Sequence, residues 1–160
     1  MLEKRSLWAA VLIALTAAAP AVADDMPGVT ATEIKIGNTI GYSGPNSAIS
    51  VIGKLETAFF KMVNDQGGVA GRKINFISLD DGYSPPKTLE QVRRLIEEDQ
   101  VALLFNTLGT PTNSAIHRYV NEKKVPHLFI SSGADKFADY QHVPWTCSSC
   151  PTCRSRSGRC

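Results

Sequence analysis

Val101-Ala102-Leu103-Leu104-Phe105 is a run of five consecutive apolar residues in a chain of 160. An uninterrupted apolar strand is typical of a parallel sheet that helices cover on both faces, because both sides of the strand then face a dry interior. The run is followed by residues 106–112, which contain glycine, proline and hydroxyl side chains and predict a loop. This stretch therefore predicts a central parallel strand of an α/β fold.

The segments around this run also have strand patterns. Residues 34–40 and 73–79 alternate apolar and polar side chains, as half-buried strands do. Residues 126–130 form a further short strand pattern after the central run. Each of the four predicted strands ends in a segment rich in glycine, serine, threonine, asparagine or aspartate, which predicts a loop.

Between the strands, apolar residues recur at steps of three and four, which is typical of amphipathic helices. The first helix is predicted to follow Ser47 and to end at Gly67-Gly68, the second to begin at Ser84-Pro85, and the third to cover residues 113–122. The residues predicted to face the core are Ile52, Leu55, Phe59, Met62, Val63, Leu89, Val92, Leu95, Ile96, Ile116, Tyr119 and Val120.

The resulting order, βαβαβαβ, predicts a doubly wound parallel sheet with helices on both faces. Right-handed crossovers place the carboxyl ends of all the strands at one edge, where α/β proteins bind their ligands. The predicted ligand loops at that edge are residues 41–47, 106–112 and 131–135. They offer hydroxyls, glycines and helix amino termini, which suit a small anion such as a carboxylate.

The charge distribution argues against nucleic-acid binding. The chain has a formal net charge of +2, but residues 24–146 contain 12 basic and 14 acidic residues. The excess of positive charge therefore belongs to the two ends, and the body lacks the basic surface that nucleic acids require. At 43% hydrophobic and 20% charged residues, the composition is that of one ordinary globular domain.

Residues 1–23 are predicted to be a secretory signal peptide. A charged start with Lys4 and Arg5 precedes an apolar run from Leu7 to Ala19 and the small-residue pattern Ala21-Val22-Ala23. The apolar run is too short to cross a bilayer core of about 30 Å. We expect export to the periplasm, cleavage after Ala23 and no insertion of the product into the membrane.

The sequence contains no recognisable catalytic or cofactor motif. It lacks the glycine patterns that hold nucleotide phosphates and the elbow that presents a serine nucleophile. His117, His127 and His142 are isolated, and we interpret them as surface or packing residues. Asp80-Asp81 is interpreted as a strand end that caps a loop, because no third carboxylate lies within sequence reach to complete a metal site. We expect ligand recognition without catalysis, cofactor or metal.

Several motifs in combination resemble one protein family. They are Ile34-Lys35-Ile36-Gly37 with Gly44-Pro45, the segment Asn64 to Ile74 with its Gly-Gly-Val-x-Gly-Arg-Lys-Ile turn, Asp80-Asp81, and Val125-Pro126. Together they resemble the periplasmic binding proteins for branched-chain amino acids and related compounds, which are the extracellular receptors of ABC importers. The resemblance extends over about residues 29–146.

The resemblance implies a type I periplasmic binding protein fold. Members of the family have two α/β lobes that close on the ligand about a hinge, and residues 24–146 would be the first lobe, still incomplete. The implied partners are a membrane permease and a small amino acid or carboxylate. A ligand-sensing module and an exported α/β enzyme remain alternatives from the residues. A one-sided cleft implies weak binding or none, because ligand sites usually enclose most of a small ligand.

The resemblance also implies a set of ligand-binding residues in the first lobe. They are Tyr42, Ser43, Leu108, Gly109, Thr110, Ser132, Gly133, Ala134 and Asp135. Amino-acid binders of the family tend to have serine in place of Gly109 and threonine in place of Asp135. Here the N–H of Gly109 and the hydroxyl of Thr110 could still take a carboxylate. Asp135 could accept from an ammonium group but would repel a nearby carboxylate. The simpler alternative is that Gly109 and Gly133 only turn the chain and Asp135 caps residues 136–140.

Residues 147–160 form a tail rich in cysteine, arginine and serine. All four cysteines of the protein lie there, and the body from 24 to 146 has none. Cys147, Cys150, Cys153 and Cys160 have some of the spacing of a metal site, but the last gap is too long and no aliphatic or aromatic residue surrounds them. The abrupt change in composition favours a non-native tail, such as a frameshift produces.

Overall fold

The computed structural model describes residues 26–139 and 141–148. The predicted signal peptide and Cys150, Cys153 and Cys160 lie outside the described residues. The strands and helices are β1 (Glu33–Ile40), α1 (Val51–Asp65), β2 (Lys73–Asp80), α2 (Pro85–Glu97), β3 (Leu103–Phe105), α3 (Thr110–Glu122), β4 (His127–Ile130) and β5 (Thr146–Ser148). Short 3-10 segments cover Ser47–Ser50 and Asp135–Ala138.

The described strands form a parallel sheet in the order β2-β1-β3-β4-β5. The chain leaves β1 for the outer strand β2, and it then crosses back to place β3 on the other side of β1. From β3 onward each new strand adds to the same side, so the direction of winding reverses once, between β1 and β3. The prediction of a doubly wound parallel sheet is confirmed.

Helices α2 and α3 cover one face of the sheet. Val92 and Leu95 of α2 are buried with Leu104 of β3 and with Ile116 and Val120 of α3. Around this cluster pack the partly buried side chains of Ile77, Leu79, Leu89, Ile96, Tyr119 and Val125. The core-facing residues predicted for these two helices are therefore confirmed.

Helix α1 covers the opposite face. Side chains of neighbouring strand residues point to opposite faces, so Phe105 faces away from the cluster that contains Leu104. Phe60 of α1 packs on this face against Phe76 and Phe105, with ring centroids 4.8 and 5.6 Å apart. Phe105 also contacts Phe129, whose side chain remains 48% exposed. Aromatic side chains thus form the core under α1.

The predicted inner face of α1 is wrong for three of its five residues. Leu55, Phe59 and Met62 are 69%, 51% and 48% exposed, whereas Phe60 is 8% exposed. The helix turns Gly53 and Phe60 toward the sheet, and the missing side chain at Gly53 leaves room for the ring of Tyr42. Periodicity shows that α1 has an apolar stripe but does not determine which of two stripes faces the sheet.

Two element boundaries and one strand also differ from the sequence prediction. The strand β3 begins two residues later, although the N–H of Ala102 already donates to the carbonyl of Lys35 on β1 at 2.9 Å. Helix α3 begins at Thr110 instead of 113, with Pro111 in its first turn, where proline is well tolerated. The strand β5 was not predicted, and it crosses the composition boundary at 146–147.

Within residues 26–139 and 141–148, every helix is too short or too polar to span a bilayer. The longest described helix, α1, has 15 residues.

The orientation of α1 can be tested by comparing a buried leucine with an exposed one. We expect Leu104→Ala, in the fully buried cluster, to lower the free energy of unfolding by about 2–5 kcal/mol. Leu55→Ala, the matched change on the exposed stripe, should alter it by less than about 0.5 kcal/mol. Urea unfolding followed by circular dichroism measures both. Equal losses in the two variants would show that the Leu55 side chain is buried.

Candidate functional site

The loops predicted to bind ligand meet at the carboxyl edge of the sheet. In a doubly wound sheet, the crevice opens where the strand order reverses, because the loops on either side leave in opposite directions. Here that position lies between β1 and β3. The loops that begin at Gly41 and Asn106 border it directly, and the loop after β4 lies one strand further along.

Asp80, the last residue of β2, holds the loop that follows β1. Its Oδ1 accepts hydrogen bonds from the N–H groups of Tyr42, Ser43 and Gly82, at 2.8, 3.1 and 2.9 Å. Its Oδ2 accepts from the hydroxyl of Ser43 at 2.6 Å and from the ammonium of Lys87 at 3.1 Å. The carboxylate therefore fixes two loops at once.

These contacts shift the acidity of Asp80. Its partial burial alone would raise the pKa, but the hydrogen bonds from Ser43, Gly82 and Lys87 outweigh burial and hold the pKa well below its ordinary value. Asp81 differs, because burial raises its pKa. Asp81 accepts from the N–H of Tyr83 at 2.8 Å and from the hydroxyl of Thr88 at 3.0 Å. Both carboxylates thus hold loop backbone in place and bond side chains of α2, in agreement with their interpretation as a strand end that caps a loop.

Tyr42 and Ser43, both predicted ligand residues, are engaged within the lobe. The hydroxyl of Tyr42 lies 2.7 Å from the hydroxyl of Ser78 on β2, and its ring packs against Gly53 of α1. Ser43 gives its hydroxyl to Asp80 and is exposed. Tyr42 therefore points partly back toward α1. The hydroxyl of Ser43 could donate to a ligand only if its hydrogen bond to the Asp80 carboxylate were broken.

The loop after β3 departs from the prediction at Gly109. Its N–H donates to the carbonyl of Ser131 at 3.1 Å, so it is not available to a carboxylate, contrary to what the sequence suggested. Its carbonyl accepts from the side-chain amide of Asn113 at 2.7 Å and from the hydroxyl of Thr112 at 3.0 Å. Leu108 pairs with Ser131 in an isolated parallel bridge. Gly109 thus ties the loop after β3 to β4.

The loop after β4 meets the loop after β3 through two hydroxyls. Those of Thr110 and Ser132 lie 2.8 Å apart, and Ser132 Oγ also accepts from the N–H of Ala134 at 3.2 Å. Gly133 is exposed, with open space where a side chain would stand. Asp135 is exposed and is the first residue of the 3-10 segment, whose cap position is Ala134. The structure therefore brings Thr110 and Ser132 together and leaves Asp135 at the rim.

A buried polar cluster supports both loops from below. His127 of β4 is fully buried, and its Nε2 lies 2.5 Å from the hydroxyl of Thr107. The side-chain amide of Asn113 donates to the carbonyl of Thr107 at 3.0 Å. Burial, with a smaller contribution from His117, lowers the pKa of His127 to about 3, so the ring is neutral at pH 7. His127 is a packing residue, as the sequence indicated.

Sequence reasoning missed Tyr83, in the loop after β2. A side chain on Gly109 would place its Cβ 2.6 Å from Cε2 and 2.9 Å from Cζ of Tyr83, so this ring covers Gly109. The backbone of Tyr83 also lies close to Gly41, with its nitrogen 3.2 Å from where a Cβ on that glycine would be. Tyr83 has a φ of 58°, a conformation rare for a bulky residue. Its only sequence signal is an aromatic residue after Asp80-Asp81-Gly82.

No metal site is found in the described part of the chain. Residues 26–139 and 141–148 contain no group of three or more histidine, cysteine, aspartate or glutamate side chains that could hold a metal ion. Cys147, the one cysteine of the tail within these ranges, lies in β5 and is half-buried.

Removing the charge of Asp80 should loosen the edge of the sheet. We expect Asp80→Asn to lower the free energy of unfolding at pH 7 by about 1–3 kcal/mol, because it weakens hydrogen bonds to a charged acceptor. The contribution of the wild-type carboxylate is fully present above pH 3.8 and is lost as pH falls further. Urea unfolding at pH 7 and pH 3 measures the difference, which should shrink at pH 3. A loss that does not depend on pH would contradict the role of the charge.

The buried imidazole of His127 should make the stability of the fold depend on pH over a higher pH range than Asp80 does. Its pKa falls from 6.5 in the unfolded chain to about 3 in the fold, so the unfolded state takes up a proton first. We expect His127 alone to lower the free energy of unfolding below pH 6.5 by up to about 1.4 kcal/mol per pH unit. In His127→Gln this slope should be clearly smaller between pH 6 and 4.5, with the rest due to His117. An unchanged slope would contradict this assignment.

Comparisons with known proteins agree with this fold. The sequence model of the family described as periplasmic binding protein matches residues 33–153. The chain is 29% identical over 143 residues to the Leu/Ile/Val-binding protein homolog 7 of Brucella suis biovar 1 (strain 1330), covering 86% of this chain and 32% of that protein. It thus spans about a third of that relative's length.

Two solved structures have similar folds. A possible leucine/isoleucine/valine-binding protein from Rhodopirellula baltica SH 1 is 24% identical, with a TM-score of 0.64 over 76% of this chain and 32% of that chain. A fatty acid ABC transporter substrate-binding protein from Thermomonospora curvata is 30% identical, with a TM-score of 0.56 over 64% of this chain and 26% of that chain. The family match covers most of the chain, which therefore belongs to the periplasmic binding protein family.

Proposed function

We propose that this chain is part of an extracytoplasmic solute-binding protein of an ABC importer for branched-chain amino acids or related small carboxylates. The observation that carries the proposal is the carboxyl edge of the sheet, where Asp80 and Gly109 hold the loops on both sides of the β1–β3 crevice. Thr110 and Ser132 present paired hydroxyls beside it. A rigid edge of this kind suits ligand recognition.

We propose that residues 24–146 are the first lobe of a two-lobed clamp, and that residues 147–160 are not native to it. The first part of the proposal is supported by the relative from Brucella suis, because the aligned region covers only 32% of that protein. The second part rests on the change in composition at residue 147, although the family match continues to residue 153. The exposed stripe of Leu55, Phe59 and Met62 supports the first part as well, since monomeric proteins rarely leave a continuous apolar surface uncovered. A further segment of the complete protein would cover it.

Export is part of the same proposal. The signal-peptide pattern of residues 1–23 would deliver the protein to the periplasm after cleavage behind Ala23, where a membrane permease would receive the ligand. We propose binding without catalysis. His127 is fully buried and bonded to Thr107, and His142 pairs with Asp139 on the surface, so neither presents its ring at the crevice as a general base would.

One lobe alone should bind weakly. We expect dissociation constants of about 1 mM or higher for leucine, phenylalanine and 4-hydroxybenzoate, or roughly −4 kcal/mol or weaker, because one wall leaves most of a small ligand in water. Titrations of the secreted chain, followed through its backbone amide resonances in ¹⁵N NMR spectra, measure such affinities. The shifts should concentrate at residues 108–110 and 131–134.

A matched pair of variants tests the site. Thr110→Val with Ser132→Ala removes the paired hydroxyls and should weaken binding further. Thr30→Ala removes an exposed hydroxyl at the opposite edge of the sheet and should leave binding unchanged. Micromolar affinity would contradict the one-lobe proposal, and shifts centred on α2 would contradict the site.

A further inference from the structure

The ring of Tyr83 lies at the point where the winding of the sheet reverses. The loop after β2 crosses toward β3, so that the Cε2–Cζ side of the ring covers Gly109 while the backbone of Tyr83 touches Gly41. These glycines begin or end the loops that border the β1–β3 crevice. Tyr83, in the loop after the outer strand β2, thus lies at the place where a doubly wound sheet binds its ligand.

The residues around the Tyr83 ring do not cover its outer side, so the ring offers an aromatic surface to the crevice. Gly41 and Gly109 have no side chains, and a Cβ at Gly109 would collide with the Tyr83 ring and with Thr112 Oγ1. The other aromatic residue nearby, Tyr42, packs against Gly53 and bonds Ser78. The ring of Tyr83 is only half-buried, so part of its surface faces outward.

The backbone that carries the ring is anchored to the interior. Asp81 accepts the N–H of Tyr83 and is itself held by the hydroxyl of Thr88 in the first turns of α2. Because Asp81 is 1% exposed, this anchor belongs to the interior of the lobe. The phenolic hydroxyl, in contrast, makes no hydrogen bond with any residue that the structure describes, so it can bond a polar group of a ligand.

We propose that Tyr83 is a specificity-determining residue of this site, which favours solutes with a flat aromatic ring over solutes with an aliphatic body. This inference rests on the proposed ligand-binding function. An aromatic side chain gains most from a second flat ring, since stacked or edge-to-face pairs contribute beyond the apolar area that they bury. The missing side chain at Gly109 leaves the flat ring as the local contact surface.

Two probes that differ in planarity test this role. 4-Hydroxybenzoate and trans-4-hydroxycyclohexanecarboxylate carry the same carboxylate and hydroxyl on a flat and a puckered ring, and L-leucine is the aliphatic amino acid. In amide NMR titrations of the whole chain to 50 mM, we expect 4-hydroxybenzoate to bind roughly 2- to 10-fold more tightly than either other probe. The amides of residues 83 and 109 should shift.

Substitutions separate the ring from its hydroxyl. Tyr83→Phe should keep the preference for the flat probe, whereas Tyr83→Leu should remove it. Tyr119→Leu changes an aromatic residue on α3 that bonds Glu97 far from the crevice, and it should leave the preference unchanged. A well-dispersed amide spectrum will show that each variant is folded. If a variant does not fold, the comparison of the flat and puckered probes on the wild-type chain still tests the preference.

The outcomes distinguish this inference from the function on which it rests. Equal affinity of the wild-type chain for the flat and puckered probes, or a preference that survives in Tyr83→Leu, would overturn the role of Tyr83 and leave the ligand site intact. The absence of shifts at the crevice with every probe at 50 mM would reject the ligand site on this lobe, and with it the role of Tyr83.

Discussion

The parallel pairing of β1 with β2 sets the geometry of everything at the ligand edge. The register runs over eight residue pairs, from Glu33 opposite Lys73 to Ile40 opposite Asp80. It therefore places the carboxylate of Asp80 beside the point where the chain leaves β1, and the next N–H groups of the chain donate to it. A shift by one residue would turn Asp80 to the other face and release the loop.

The same register aligns a line of polar side chains inside the sheet. Asn38 lies opposite Ser78, whose hydroxyl donates to Asn38 Oδ1 at 2.8 Å and also meets Tyr42. The amide of Asn38 donates in turn to the carbonyl of Phe105 at the end of β3. Polar groups buried in this way are stabilising only when they are paired, so the network specifies one arrangement of β1, β2 and β3. The edge is rigid because three strands share it.

The helices on the two faces of the sheet bury their apolar side chains to different extents. On one face α2 and α3 enclose an aliphatic cluster completely. On the other face α1 contacts the sheet through Phe60 and presents a second apolar stripe, containing Leu55, Phe59 and Met62, outward. The two faces of the described sheet therefore differ, since one is enclosed by aliphatic packing and the other has a helix with an exposed apolar stripe.

The sequence predicted most of this fold and part of the site. Alternation located β1 and β2, and a Ser-Pro pair located the start of α2, because these signals depend on neighbouring residues only. Local pattern could not determine which stripe of α1 faces the sheet, nor that the N–H of Gly109 bonds Ser131, since both depend on contacts distant in sequence. Tyr83 was missed for the same reason. Its neighbours at the crevice, Gly41 and Gly109, lie more than 20 residues away.

If residues 24–146 are one lobe of a two-lobed ligand clamp, as proposed, the gene should encode the second lobe. Reading the gene across codon 146 and translating all three frames downstream tests this. We expect a frame other than the one encoding residues 147–160 to continue into a second α/β stretch, with apolar strands and a segment suited to cover Leu55 and Phe59. If no frame encodes such a stretch, the claim is contradicted and the lobe functions as a single unit.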